Sequence, residues 1–528
     1  MKRLLLLLFL VTPAFATTHY ICGVSGSTCQ DSNNGTSKTT AWLHLPGMPN
    51  CTSTCGSYNP QPGDQFIFRG GDTWTSASLG VNWSWSGTSA SPIYIGVDQT
   101  WYTGASWTRP IWSAATPSGG LFFQTNASYF TLSNIEMTGL LETATSQPSF
   151  VHICGVSQIY DQLYIHGWSH DGTLTSSSGN SSYAFGGGDC ASDAGTTIQY
   201  TVIDGADSSP FPGGMILCFY GDAPIVAYSV CNNVWQAVEA SNDSIHDNLF
   251  ENMQDCARDS GGPCHENLLS NFGPSSASHQ TIYNNVLRNM TYAYAGGGFK
   301  LALGSLSCNS AVSYAFNNVL YNTTAQNMLI PGGWKDCSAW GNWTVFNNTF
   351  ECGTDSATGV CMNIAGVTSG AQAIYTFYNT QLLTSASPPN SCTGVTVCNY
   401  AVRSNLTQTV ATANSQGYTS GSTYAFAPTS ASGGTVGTGT NEQSICTTIN
   451  GFDAVAGAAC QNDTTYGVAY NTANHTVTGP GRTTIARPAT AAWDVGAYQY
   501  NGAKSSAESP NWSNGCGQLI ERQCSFLD

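Results

Sequence analysis

Five residues in the middle of the chain have the types and setting to move protons: Glu239, Glu251, His265, Arg288 and Lys300. Glu239 stands in QAVEA (236–240) and Lys300 in GFKLALG (298–304), each an isolated charge in an apolar stretch. Residues 120–400 hold only four basic side chains, Arg258, Arg288, Lys300 and Lys335, so each cation there calls for a reason. Two chemistries fit these types. In hydrolysis of a glycosidic bond, one carboxylic acid protonates the leaving oxygen and a second carboxylate acts as base or nucleophile, and Glu239 with Glu251 or Glu266 are the candidate pairs. In β-elimination a base removes a proton beside a carboxylate whose charge a cation neutralises. Lys300, Arg288 or His265 would be that base. No cofactor is required by the sequence, and Ca²⁺ held by Asp and Glu oxygens is the one ion that elimination would call on. The competing reading is that these charges are solvated or paired with each other, as Glu251 and Arg288 would be.

Whatever their role, such residues act together only if the chain winds them side by side. A short pattern recurs that would do this: FTLSNIEM (130–137), IYDQLYI (159–165), IQYTVI (198–203), VAYSVC (226–231), SIHDNLF (244–250), TIYNNVL (281–287), YAFNNVL (314–320), TVFNNTF (344–350) and IYTFYNT (374–380). Its polar position is Asn134, Gln162, Thr201, Ser229, Asn248, Asn285, Asn318, Asn348 and Asn379, at intervals of 28, 39, 28, 19, 37, 33, 30 and 31 residues. Each interval contains a second strand-like piece, among them FVHIC (150–154), YAFGG (183–187), MILCFY (215–220), QAVEA and GFKLALG. Two strands and several turns per repeat suit a solenoid whose coils cannot bury their apolar faces alone. The Asn then has two expected jobs: to tolerate left-handed backbone at a corner, and to hydrogen-bond its neighbours about 4.8 Å away in the stack.

Residues two apart on a strand share a face, and equivalent positions stack from coil to coil. Aligning the second strands predicts one outward column of His152, Phe185, Leu217, Glu239, Asn267, Lys300, Leu329 and Asn363. A second column, after the Asn corner, holds Asp204, Glu251, Arg288 and Glu351.

Composition agrees with an all-β chain. Of 528 residues 8% are charged and 41% hydrophobic, with 59 Ser, 59 Thr, 57 Gly and 40 Asn. That apolar content excludes intrinsic disorder, and the scarcity of Ala, Glu, Lys, Leu and Arg excludes long helices. A net charge of −16 without a basic patch argues against nucleic acid as a partner. Residues 1–16, MKRLLLLLFLVTPAFA, read as a secretory signal. No later stretch is long and apolar enough to span a membrane, so a secreted, extracellular or periplasmic monomer is expected. Twenty cysteines fit an oxidising compartment. Nearest-neighbour pairing is predicted: Cys22/Cys29, Cys51/Cys55, Cys154/Cys190, Cys218/Cys231, Cys256/Cys264, Cys308/Cys337, Cys352/Cys361, Cys392/Cys398, Cys446/Cys460 and Cys516/Cys524.

The repeats, with DSNNGTSKTTAWLHL (31–45), PGDQFIFRGGDTW (62–74) and ARPATAAWDVGAYQY (486–500), resemble those of secreted right-handed parallel β-helix proteins of the pectate-lyase-like superfamily. The resemblance implies a single-domain, disulfide-bearing β-helix: a signal at 1–16, an N-terminal opening and cap segment at 17–119, central coils at 120–400, C-terminal coils and a closing segment at 401–500, and a polar tail at 501–528. It covers hydrolases, lyases and non-enzymes alike, so the fold sets an expectation and names no reaction. Of the polygalacturonase-like catalytic pattern only His166-Gly167 is present. The tryptophans at 74, 83, 85, 101, 107 and 112 would either stack on sugar rings or cover the open end of the coil. The function expected is binding and cleavage of an extracellular polysaccharide by hydrolysis or elimination. The alternative is a non-catalytic surface, adhesion or structural rod.

Overall fold

The computed structural model describes residues 16–502 except 24–27, 119–120, 143–147, 171–181, 188–193, 208–215, 223–224, 242–243, 254–268, 272–278, 291–298, 304–311, 324–326, 332–341, 352–359, 363, 366–371, 385–391, 394–396 and 420–423. Residues 1–15 and 503–528 lie outside the described residues, and with them almost all of the expected signal and tail.

Short β-branched and aromatic runs form strands because their side chains pack well on a pleated surface. Here the strands build three long parallel sheets. One turn of the chain shows the plan. Ser244–His246 lies in sheet 1, Leu249–Glu251 in sheet 2 and Leu269–Asn271 in sheet 3, before Thr281–Tyr283 returns to sheet 1 beside Ser244–His246. Sheets 1 and 2 each have thirteen strands and sheet 3 has ten among the described residues. The chain is a right-handed parallel β-helix, as the repeat predicts.

Its interior is filled by one inward column from each sheet. Ile198, Val226, Ile245, Ile282, Ala315 and Val345 come from sheet 1, Ile165, Ile203, Cys231, Phe250, Leu287 and Leu320 from sheet 2, and Phe123, Val151, Phe185, Phe219 and Val238 from sheet 3. All are buried. Fully burying a Val, Leu, Ile or Phe side chain is worth about 1.5–3 kcal/mol, so the stack gains with every coil added. Trp74, Trp83 and Trp112 belong to this core and pack edge-on against Phe66 and Phe68. The expectation that the tryptophan cluster stacks on sugars therefore fails for these three, because their rings are buried in the core and present no face to solvent.

At the corner between sheets 1 and 2 the two jobs expected of one Asn are divided between neighbours. Asn134, Gln162, Tyr200, Tyr228, Asp247, Asn284, Asn317, Asn347 and Asn379 have left-handed backbone, with φ of 48–60°. The following residue forms the ladder. Asn248 Nδ2 donates to Asn285 Oδ1 at 3.0 Å, Asn285 Nδ2 to Asn318 Oδ1 at 3.0 Å, and Asn318 Nδ2 to Asn348 Oδ1 at 3.0 Å. The same oxygens accept the backbone N–H of the preceding ladder residue. Where the amide is lacking, the Thr201 and Ser229 hydroxyls continue the line. Asn134, Gln162 and Asn379 thus belong to the corner column and not to the ladder.

Four disulfides join expected neighbours: Cys22–Cys29, Cys51–Cys55, Cys218–Cys231 and Cys446–Cys460. Cys154 is also disulfide-bonded. The remaining expected pairs involve side chains outside the described set. Past the last coil the chain folds back along the outside. Tyr466, Val468, Ala497 and Tyr498 cover the valines of sheet 2, and Cys446, Ile449, Cys460 and Trp493 pack on the aromatic outer face of sheet 1.

Candidate functional site

Strand register places the five predicted residues on two surfaces. Glu239 lies on sheet 3, level with His152, Gly186, Tyr220, Ser270 and Ala302. The predicted column is therefore wrong at Phe185 and Leu217, which are one and three residues out and face the core. Loops of unequal length separate these strands, and an odd shift turns a side chain to the other face. Lys300 lies in Phe299–Leu303, two coils beyond Glu239 and two residues before Ala302, so the two do not share a level. His265, like Glu266, lies outside the described residues.

Glu239 sits in Gln236–Ser241 and is mostly buried. Burial pushes its carboxyl up to about 7, with Gln236 Nε2 at 3.5 Å working weakly in the other direction. Tyr183 and Tyr220 lie beside it, their ring centroids 4.9 Å apart. The Tyr183 phenol is raised first by burial and then by Tyr220, Glu239 and Glu142. Sheet 3 therefore carries a carboxyl group that is shared about equally between its acid and anionic forms near neutrality, with aromatic rings nearby.

Glu251 and Arg288 lie one coil apart on sheet 2, and Arg288 Nε donates to Glu251 Oε2 at 2.6 Å. Burial alone would lower the Arg288 pKa, but Glu251 outweighs it and raises it. The predicted column of Asp204, Glu251, Arg288 and Glu351 is present, with Asn232 and Tyr321 in the intervening coils. Asp204 accepts from Asn232 Nδ2 at 3.0 Å and from the Tyr470 hydroxyl at 2.7 Å.

One coil earlier the same column holds His166, which the sequence offers only as part of a His-Gly pair and not as a member of this column. His166 pairs in register with Asp204 and lies 2.7 Å from Asp207 and 3.2 Å from Glu136. Burial lowers its pKa, but hydrogen bonds to those carboxylates overcome this and hold it at about 9. Its ring stacks on Tyr164, whose other face is covered by His475 from the returning chain. A signal was there. Every member of this column stands four residues after the left-handed corner residue, His166 after Gln162 as Asp204 after Tyr200 and Glu251 after Asp247.

A third feature lies on the outer face of sheet 1. A cleft of about 700 Å³ crosses strands 197–199, 225–227, 244–246 and 281–283, walled by Phe452–Val455. Among the described residues no group of three or more His, Cys, Asp or Glu is arranged to hold a metal ion, and no helix is long and apolar enough to cross a membrane.

No protein-family model and no curated protein sequence matches the chain. Solved structures similar to it include pectate lyase Pel9A, 16% identical over 92% of this chain and 98% of that one, with a TM-score of 0.46. A GH136 lacto-N-biosidase from Eubacterium ramulus is 12% identical over 75% and 68% of the two chains, with a TM-score of 0.39. An alginate lyase from Paenibacillus sp. str. FPU-7 is 14% identical over 65% and 94%, with a TM-score of 0.36. The β-helix itself rests on this chain's own strand register.

Proposed function

We propose that the protein is an exported, carbohydrate-active β-helix protein that binds and hydrolyses an extracellular polysaccharide, with Glu239 as the proton donor. One observation carries the reading: a carboxyl raised to about 7 by burial, beside two tyrosine rings, on the outward side of sheet 3. An acid in that range keeps a large protonated fraction at neutral pH and can still give its proton up, which general acid catalysis requires. In the step proposed, Glu239 delivers its proton to the glycosidic oxygen as the bond from that oxygen to the sugar carbon breaks. Water then supplies hydroxide to the carbon and a proton to the enzyme. The aromatic faces of Tyr183 and Tyr220 suit the apolar side of a sugar ring. A neutral or weakly acidic glycan fits a chain of net charge −16. Export is supported by the signal-like residues 1–16 and by the disulfides.

The test is a panel of neutral and uronate-containing polysaccharides, with and without Ca²⁺, read for new reducing ends and for the absorbance of unsaturated uronates. Reducing ends without unsaturation are expected, falling by about 10²-fold or more in Glu239→Gln. Unsaturated products would move the chemistry to elimination, with Lys300, Arg288 or His265 as base. Release of neither kind would make the molecule a non-catalytic rod.

A further inference from the structure

The cleft on sheet 1 is on a different sheet from Glu239 and has no part in the reaction proposed above. We propose that it is a second, non-catalytic binding site for a neutral polysaccharide chain. Its floor is a grid set by strand register. One row runs Thr197, Ile225, Ser244 and Thr281, and the next runs Gln199, Ala227, His246 and Tyr283. Successive members are one coil apart, about 4.8 Å, so three of the four coils offer hydroxyl, amide or imidazole groups and the coil of Ile225 and Ala227 offers an apolar step between them. The Ser244 and Thr281 hydroxyls bond each other at 2.9 Å, and Thr281 Oγ1 lies 3.3 Å from Asp453 Oδ2.

The walls are flat and apolar. His279 stacks on Phe452 with ring centroids 4.0 Å apart, and its Nδ1 is bound to the Val312 carbonyl at 2.6 Å, which leaves Nε2 as the acceptor. Phe452 and Val455 are 39% and 63% exposed, two of the few large apolar side chains left in water among the described residues. Tyr228 also lines the cleft, edge-on to His246. Planar apolar faces beside a row of small hydrogen-bonding groups match a sugar ring, which has an apolar face and a hydroxyl rim. Among the described residues no Lys or Arg lines the cleft and Asp453 does, so a polyanion is disfavoured by charge. The cleft is open and runs across coils, as an extended chain requires.

Affinity electrophoresis of the Glu239→Gln protein in gels containing mixed-linkage β-glucan, galactomannan, arabinoxylan or polygalacturonate tests this. At least one neutral polysaccharide is expected to retard it, and a Phe452→Ala/His279→Ala double substitution should weaken that retention at least tenfold. Val455→Arg, a change at an exposed rim position, should do the same without altering the fold. Retention by none of the neutral polymers, retention by polygalacturonate alone, or retention unchanged by the Val455→Arg and double substitutions would each overturn the proposal. The outcome is separable from that of the catalytic reading. The cleft variants are expected to cleave short oligosaccharides at the parent rate, whereas Glu239→Gln abolishes cleavage and leaves retention intact.

Discussion

Glu239 and His166 are both displaced upward in pKa, for opposite reasons. Burial favours the neutral form of Glu239, whereas at His166 two carboxylates overcome burial and favour the charged form. Both raise the folded pKa above the unfolded one, so each supports the fold fully below its unfolded value and loses that support as pH rises through the folded value. For Glu239 the window runs from the ordinary glutamate range to about 7, and for His166 from 6.5 to about 9. Glu239→Gln should therefore melt at a higher temperature than the parent at pH 8.5, with the difference shrinking at pH 4.5. His166→Gln should melt lower than the parent at pH 6, with the gap closing toward pH 10. Thermal unfolding followed by circular dichroism across this range checks both, and a pH-independent gap would contradict the assignments. The +4 spacing that links His166 to Asp204 was open to view in the sequence. Polar side chains at both corner positions mask it: Asn134, Gln162 and Asn379 occupy the left-handed position yet resemble the ladder residues that follow one place later.

Among elements, the corner between sheets 1 and 2 is the most demanding. Asn285 is fully buried, and its side chain accepts from the Asn248 N–H and Nδ2 and donates to the Ile245 carbonyl and Asn318 Oδ1. Replacing it by Leu leaves three or more buried groups unpaired at about 1–3 kcal/mol each, so a loss of at least about 3 kcal/mol is expected in urea unfolding. At the adjacent corner position, Asn284→Ala should be worse than Asn284→Gly by about 1 kcal/mol, because only glycine takes φ of 58° without strain. The repeat was legible because both residues recur at the same place in successive coils, where each ladder Asn bonds its counterpart in the next. Sheet 3 was less so. Its strands follow loops of variable length, which erase the count that would have put Tyr220 and not Leu217 level with Glu239. Of the returning chain only the closing segment at 486–500 was legible, and not where it docks: Tyr470 reaches Asp204 across 266 residues, and no local pattern announces such a contact.

Over the whole molecule, the returning chain seals the outer side of sheet 2, where Val202, Val230, Leu249, Val286 and Val319 form a continuous apolar stripe. At about 1.5–3 kcal/mol for each such side chain, removing residues 463–502 should expose enough apolar surface to make the protein aggregate in gel filtration. A monodisperse truncated protein with unchanged melting would show that the stripe needs no cover. The ladder beneath it also has a direction. From Leu163 through Thr201, Ser229, Asn248, Asn285 and Asn318, every backbone N–H points to an acceptor one coil further along, and the Thr380 N–H points to Asn405. Each of these turns therefore leaves a corner N–H that only the next turn can satisfy, so a rod cut between coils would bare an unmet donor at the cut face.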